Sequence, residues 1–97
     1  MANRHLSRSV VMQTLFEWDF RGLSRDEAEK ALVRNAEEFG VEGADPFMTA
    51  LLKGVLERQA DLDLIIAKAA PDWPLPRISP VDRNVLRVGL YELLFAD

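Results

Sequence analysis

The sequence predicts an all-α protein. Apolar residues recur every three or four positions in four separate segments, the period of a helix face. Three of those segments open on a helix-capping residue, and two of the caps are followed by proline at the first helical position. No segment alternates polar and apolar residues as a half-buried strand does, and there is no internal repeat or low-complexity tract. A chain of 97 residues with this pattern makes one small helical bundle with short connections.

The first helix is predicted from about Asn3 to Phe20. Leu6 and Val10 share a face, as do Val11, Leu15 and Trp18, and Met12, Phe16 and Phe20. Gly22 ends it. The second helix starts at Ser24, which with Glu27 forms a capping box: the hydroxyl takes one free amide and the carboxylate reaches back to another. Ala28, Ala31, Leu32, Ala36 and Phe39 give it a single apolar stripe, and Gly40 stands at its C′ position.

The third helix is predicted from Asp45 and Pro46 to about Ala70, with a break expected near Gln59–Leu62 because the run is long for a small domain. Gly54 inside it costs roughly 1 kcal/mol relative to alanine, so its presence predicts the close approach of another helix. The segment Pro71–Ser79, with prolines at 71, 74 and 76, is a breaker. The last helix begins at Ser79 and Pro80 and carries Val81, Val85, Leu86, Val88, Leu90, Leu93, Leu94 and Phe95. It is apolar on more than one face, so it predicts a surface made to be covered.

Composition excludes several classes. There is no cysteine, hence no disulfide framework and no thiolate metal site, and His5 is the only histidine. No phosphate-binding glycine loop or nucleophile elbow occurs, the carboxylates are scattered over caps and solvated faces, and Asp61 and Asp63, two apart, point apart on a helix, so the sequence predicts neither an enzyme nor a cofactor. The start lacks the apolar core of a signal peptide, and no run reaches the length of a membrane span. The expected setting is therefore the cytoplasm.

A binding module remains. The net charge of −4 argues against a uniformly basic nucleic-acid binder, but the distribution is uneven. The first sixteen residues contain Arg4 and Arg8 and no acid, whereas residues 22–63 hold ten acids against five bases. An anionic partner would meet the first helix, where Arg4 and Arg8 project together and His5, Gln13 and Phe16 follow. Arginines supply phosphate contacts; amides and rings meet unstacked bases.

Three stretches carry a family resemblance. "SVVMQTLFEWDF" resembles the opening helix of the NusB family, "FMTALLKGVLERQADLDLII" its third-helix signature, and "DRNVLRVGLYELLF" its most specific motif. The resemblance covers nearly the whole chain. It implies a NusB-like all-helical fold, with residues 1–70 as an N-terminal helical subdomain, 71–79 as a proline-rich connector and 80–97 as the start of a C-terminal subdomain. It also implies transcription antitermination: binding of single-stranded boxA RNA with the ribosomal protein NusE, and read-through by the RNA polymerase antitermination complex in ribosomal RNA operons.

By the same resemblance, Arg4, His5 and Arg8 take the RNA-facing start of the first helix, with Gln13 and Phe16 in the motif that follows. Phe16 stands where tyrosine is commoner, which removes a hydroxyl donor. Asp82 matches an acidic position of the NusE contact, and Arg77, Arg83 and Tyr91 lie nearby. The family continues past "YEL" with two more helices that this sequence does not contain. The resemblance therefore implies a truncated chain, part of whose RNA surface is missing and whose exposed last helix is open to homodimer formation. The alternative is the NusB-like RNA-recognition domain of a ribosomal RNA cytosine methyltransferase, against which "GLYELL" in place of "GAYQLL" argues.

Overall fold

The computed structural model describes residues 3–41 and 43–96. Over these residues the chain forms α1 (Arg4–Arg21), α2 (Arg25–Glu38), α3 (Pro46–Glu57), α4 (Gln59–Ala69), a 3₁₀ turn at Leu75–Arg77, and α5 (Pro80–Leu94). Asn3 lies outside α1 and caps it, its Oδ1 accepting from the Leu6 amide at 2.8 Å, and the helix runs one residue beyond Phe20. The predicted capping box is present in both directions, at 3.1 Å each way between Ser24 and Glu27. Gly40, at φ +80°, closes α2. Its amide donates to the Glu37 carbonyl at 3.0 Å and that of Val41 to the Ala36 carbonyl at 2.8 Å, the two bonds of a Schellman motif.

The run from Pro46 to Ala70, in which a break is expected, forms two helices. They meet at Arg58 (φ −99°, ψ 7°), one residue before the expected break. The hydrogen-bond ladder continues round the bend: the Arg58 amide donates to Gly54 at 3.0 Å and its carbonyl accepts from Leu62 at 2.9 Å. A straight helix of this run would extend about 37 Å at 1.5 Å per residue, nearly the full 41 Å length of the molecule. The bend instead turns Leu62 and Ile66 back into the bundle, where both are buried.

The core joins Val10, Val11 and Leu15 of α1, Ala28, Leu32 and Ala36 of α2, Met48, Leu52 and Val55 of α3, Leu62 of α4 and Val88 of α5. Inside it, the Asn35 amide donates to the Thr14 hydroxyl at 3.1 Å, which itself donates to the Val10 carbonyl at 2.9 Å, so both buried polar groups are satisfied.

The last helix inverts the usual pattern. Its buried face carries Asn84 and Arg87 beside Val88, while Val81, Val85, Leu86, Leu93 and Leu94 face outward. The polar face is held by a network centred on Asp19 of α1. Arg83 grips that carboxylate with two bonds, at 2.5 and 2.6 Å; Arg87 adds one at 2.9 Å and Asn84 one at 3.0 Å. Arg87 also pairs with Asp63 of α4 through bonds of 2.7 and 3.0 Å. At the other end of α1, Arg8 holds Glu92. Early α1 thus meets late α5 and late α1 meets early α5, so the two helices run antiparallel. Gly54 has the neighbour its cost predicted: a Cβ there would overlap the ring of Tyr91.

Candidate functional site

The start of α1 concentrates positive charge. Its first turn contains no acid, and its free amides add the positive end of the helix dipole. Arg4 and His5 are exposed. The Arg4 guanidinium lies over the ring of Phe47, 4.0 Å from its centroid, and among the described residues it pairs with no carboxylate. Arg8 approaches the same ring at 5.6 Å but is tied to Glu92 by two bonds of 2.8 Å. That hydrogen bond, opposed by burial, raises the guanidinium's pKa further. Arg4 is therefore available to an anion, whereas Arg8 has a partner within the chain.

Gln13 is exposed and touches Glu17 at 3.5 Å. Phe16 is half-buried and stacks on Phe20, centroids 5.7 Å apart and planes 19° from parallel. Phe20, whose spacing predicts only a place on an apolar stripe, is 69% exposed and presents an aromatic surface. From Arg4 to Phe16 the helix advances about 18 Å at 1.5 Å per residue. At about 100° per residue Phe16 also stands about 120° round the helix from Arg4, and Gln13 about 180°, so these residues do not share one face with Arg4.

The four residues at the second surface separate into two pairs. Arg77, at the end of the 3₁₀ turn, and Asp82 are exposed. Asp82 sits in the first turn of α5, where its amide donates to the Ser79 hydroxyl at 3.1 Å and its charge favours the helix N-terminus. Arg83 and Tyr91 turn inward. Arg83 holds Asp19 and donates to the Ile78 carbonyl at 2.9 Å; Tyr91 packs over Gly54. Outward around Asp82 runs the apolar face of α5, with Leu93 77% exposed. Gly89 lies on this face, and a Cβ there would meet nothing within 4 Å.

Among the described residues no three metal-ligating side chains converge, and no helix is long and apolar enough to cross a membrane. Exposed cations, stacked rings and an uncovered apolar helix face on a rigid helical frame are the equipment of a binding module. Comparison with known proteins makes that class specific: residues 5–97 match the model of the NusB family, and the chain belongs to that family. It is 38% identical over 94 residues to the transcription antitermination protein NusB of Desulfitobacterium hafniense, which covers 96% of this chain and 63% of that protein. The proteins of the same name from Bacillus subtilis and Nocardioides are 39% identical over 95 residues and 38% over 97, covering 97% and 100% of this chain and 67% and 69% of theirs. These are names of transcription factors, not of enzymes. No solved structure matches the chain.

Proposed function

We propose that this chain is an RNA-binding transcription antitermination module. It engages boxA-type single-stranded RNA together with the ribosomal protein NusE and acts in the cytoplasm within the RNA polymerase antitermination complex. The observation that carries this reading is the family match across residues 5–97, with relatives that bear the antitermination name. Those names favour it over the RNA-recognition domain of a methyltransferase. The acid-free, cation-bearing start of α1 supports placing RNA there. Replacing Arg4 and His5 together by alanine, which breaks no ion pair among the described residues, is expected to weaken RNA binding about tenfold. It should also flatten the dependence of log K on log salt by about one phosphate contact. A titration at three salt concentrations measures both; unchanged affinity and slope would remove α1 from the interface.

In this reading the exposed pair Arg77 and Asp82 meets NusE, while Arg83 and Tyr91 act from behind by fixing α5. The apolar face beside Asp82 carries Val81, Val85, Leu86, Leu93 and Leu94, all exposed. It offers a self-complementary contact, with Gly89 allowing close approach between Val85 and Leu93. Sedimentation velocity is expected to show concentration-dependent dimers. The double variant Val85→Ser/Leu93→Ser should weaken their association at least tenfold; equal association by the variant would place the contact elsewhere.

A further inference from the structure

A cleft of about 280 Å³ opens between the start of α1, the first turns of α3 and the end of α5. Its walls include three rings, Phe47, Tyr91 and Phe95, with the buried Leu51 beneath. Tyr91 and Phe95 stand together, centroids 6.2 Å apart and tilted by 32°. Small-molecule sites span roughly 300–1,000 Å³, so this cleft suits a single ring system and not a larger cofactor.

Charge narrows the ligand. Two arginines lie on the aromatic walls from different parts of the chain: Arg4 over Phe47 at 4.0 Å, and Arg58, from the bend between α3 and α4, over Phe95 at 4.6 Å. Arg58 has only a loose, exposed contact with Asp61 at 3.5 Å. Among the described lining residues Glu92 is the one carboxylate, and it is already paired with Arg8. Apolar rings lining the cleft, with one available cation in the lining and a second stacked on a lining ring, suit a flat, uncharged ring attached to an anionic backbone. Bases are held this way on aromatic side chains, with cations tracking the phosphates.

We propose that this cleft receives one unstacked base of the bound single-stranded RNA, with Arg4 and Arg58 contacting the phosphates on its two sides. The proposal rests on the RNA-binding reading above and adds a base-holding site, and Arg58, to it.

The test uses the whole chain and a boxA-like RNA carrying 5-iodouridine at each uridine in turn. Irradiation and mass spectrometry locate the cross-link, and anisotropy gives affinity. One position is expected to cross-link to Phe47, Tyr91 or Phe95. Phe47→Leu, which keeps apolar volume and removes the ring, should abolish that cross-link and weaken binding about tenfold, the effect of losing one stacked base. Ala50→Leu, at an exposed lining position of α3, should do the same by filling the cleft, and it serves if Phe47→Leu does not fold by circular dichroism. Val33→Ala, exposed on α2, should bind as wild type.

Wild-type protein that binds no RNA would overturn the RNA reading and the cleft assignment together. Wild-type protein that binds RNA while cross-linking elsewhere, with Ala50→Leu binding equally well, would overturn the cleft assignment alone. Free mononucleotides that shift the Phe47 and Phe95 ring resonances when RNA does not would assign the cleft to a nucleotide and overturn it as an RNA site.

Discussion

Asp19→Ala is expected to lower the unfolding free energy by about 3 kcal/mol, the cost of removing one partner from a buried ion-pair network. The melting temperature should fall by roughly 4–8 °C for each kcal/mol in a chain of this size. Asp19 is mostly buried and receives bonds from Arg83, Arg87 and Asn84. Its loss leaves Arg83 without its carboxylate, and leaves Arg87, 4% exposed, with Asp63 as its one carboxylate partner among the described residues. The interaction also has a pH signature. Burial pushes the Asp19 carboxyl up, but the hydrogen bond from Arg83 and the charges of Arg87 and Arg83 outweigh it and hold the group below the usual carboxylate range. A carboxyl whose pKa is lower folded than unfolded contributes stability above its unfolded value, about 3.9, and loses it as pH falls through the folded value. The gap between wild type and Asp19→Ala is thus constant at neutral pH and closes in acid below about pH 4. Urea melts of both proteins from pH 7 to pH 3 measure this; a gap that does not change with pH would mean the carboxylate's charge is not what stabilises α5.

Gly54→Ala is the second large effect, and it opposes the usual trend. Alanine in a helix interior is normally worth about 1 kcal/mol over glycine. Here the added methyl meets the Tyr91 ring, and overpacking costs about 1–3 kcal/mol. Since the ring has to leave its position between α3 and α5 and the helices have to part, a net loss of about 2 kcal/mol is expected. Adding Tyr91→Leu, which destabilises alone, should recover most of the Gly54→Ala loss in the double variant. A thermal-melt cycle would then show coupling well above 0.5 kcal/mol. Additive losses would separate the glycine from the tyrosine.

Much of the fold was legible because its signals are local. The capping box at Ser24, the prolines at 46 and 80 and the glycine after Phe39 act within a turn or two, and each appears where its chemistry placed it. The bend at Arg58 was legible only from the length of the run, to within a residue, since no proline or glycine marks it. Least legible was the orientation of α5. Periodicity argues for burying Val85, Leu86 and Leu93, whereas the structure buries Asn84 and Arg87, because Asp19 and Asp63 wait on two other helices. An ion pair between residues 68 positions apart leaves no mark in any window of sequence. The same holds at the candidate site: Arg4 and Arg8 read as a pair from their spacing, but Phe47 meets Arg4, and Arg58 meets Phe95, only through tertiary packing.

The proposed function places boxA RNA, bound in company with NusE, on the start of α1. The most direct measurement is fluorescence anisotropy of a labelled boxA-like single strand against a scrambled strand of equal composition. Each would be titrated with the chain alone, with NusE added, and with the Arg4→Ala/His5→Ala variant. The account predicts at least tenfold tighter binding of boxA than of the scrambled strand when NusE is present, and loss of most of that advantage in the variant. Equal binding of the two strands, or an unaffected variant, would contradict it.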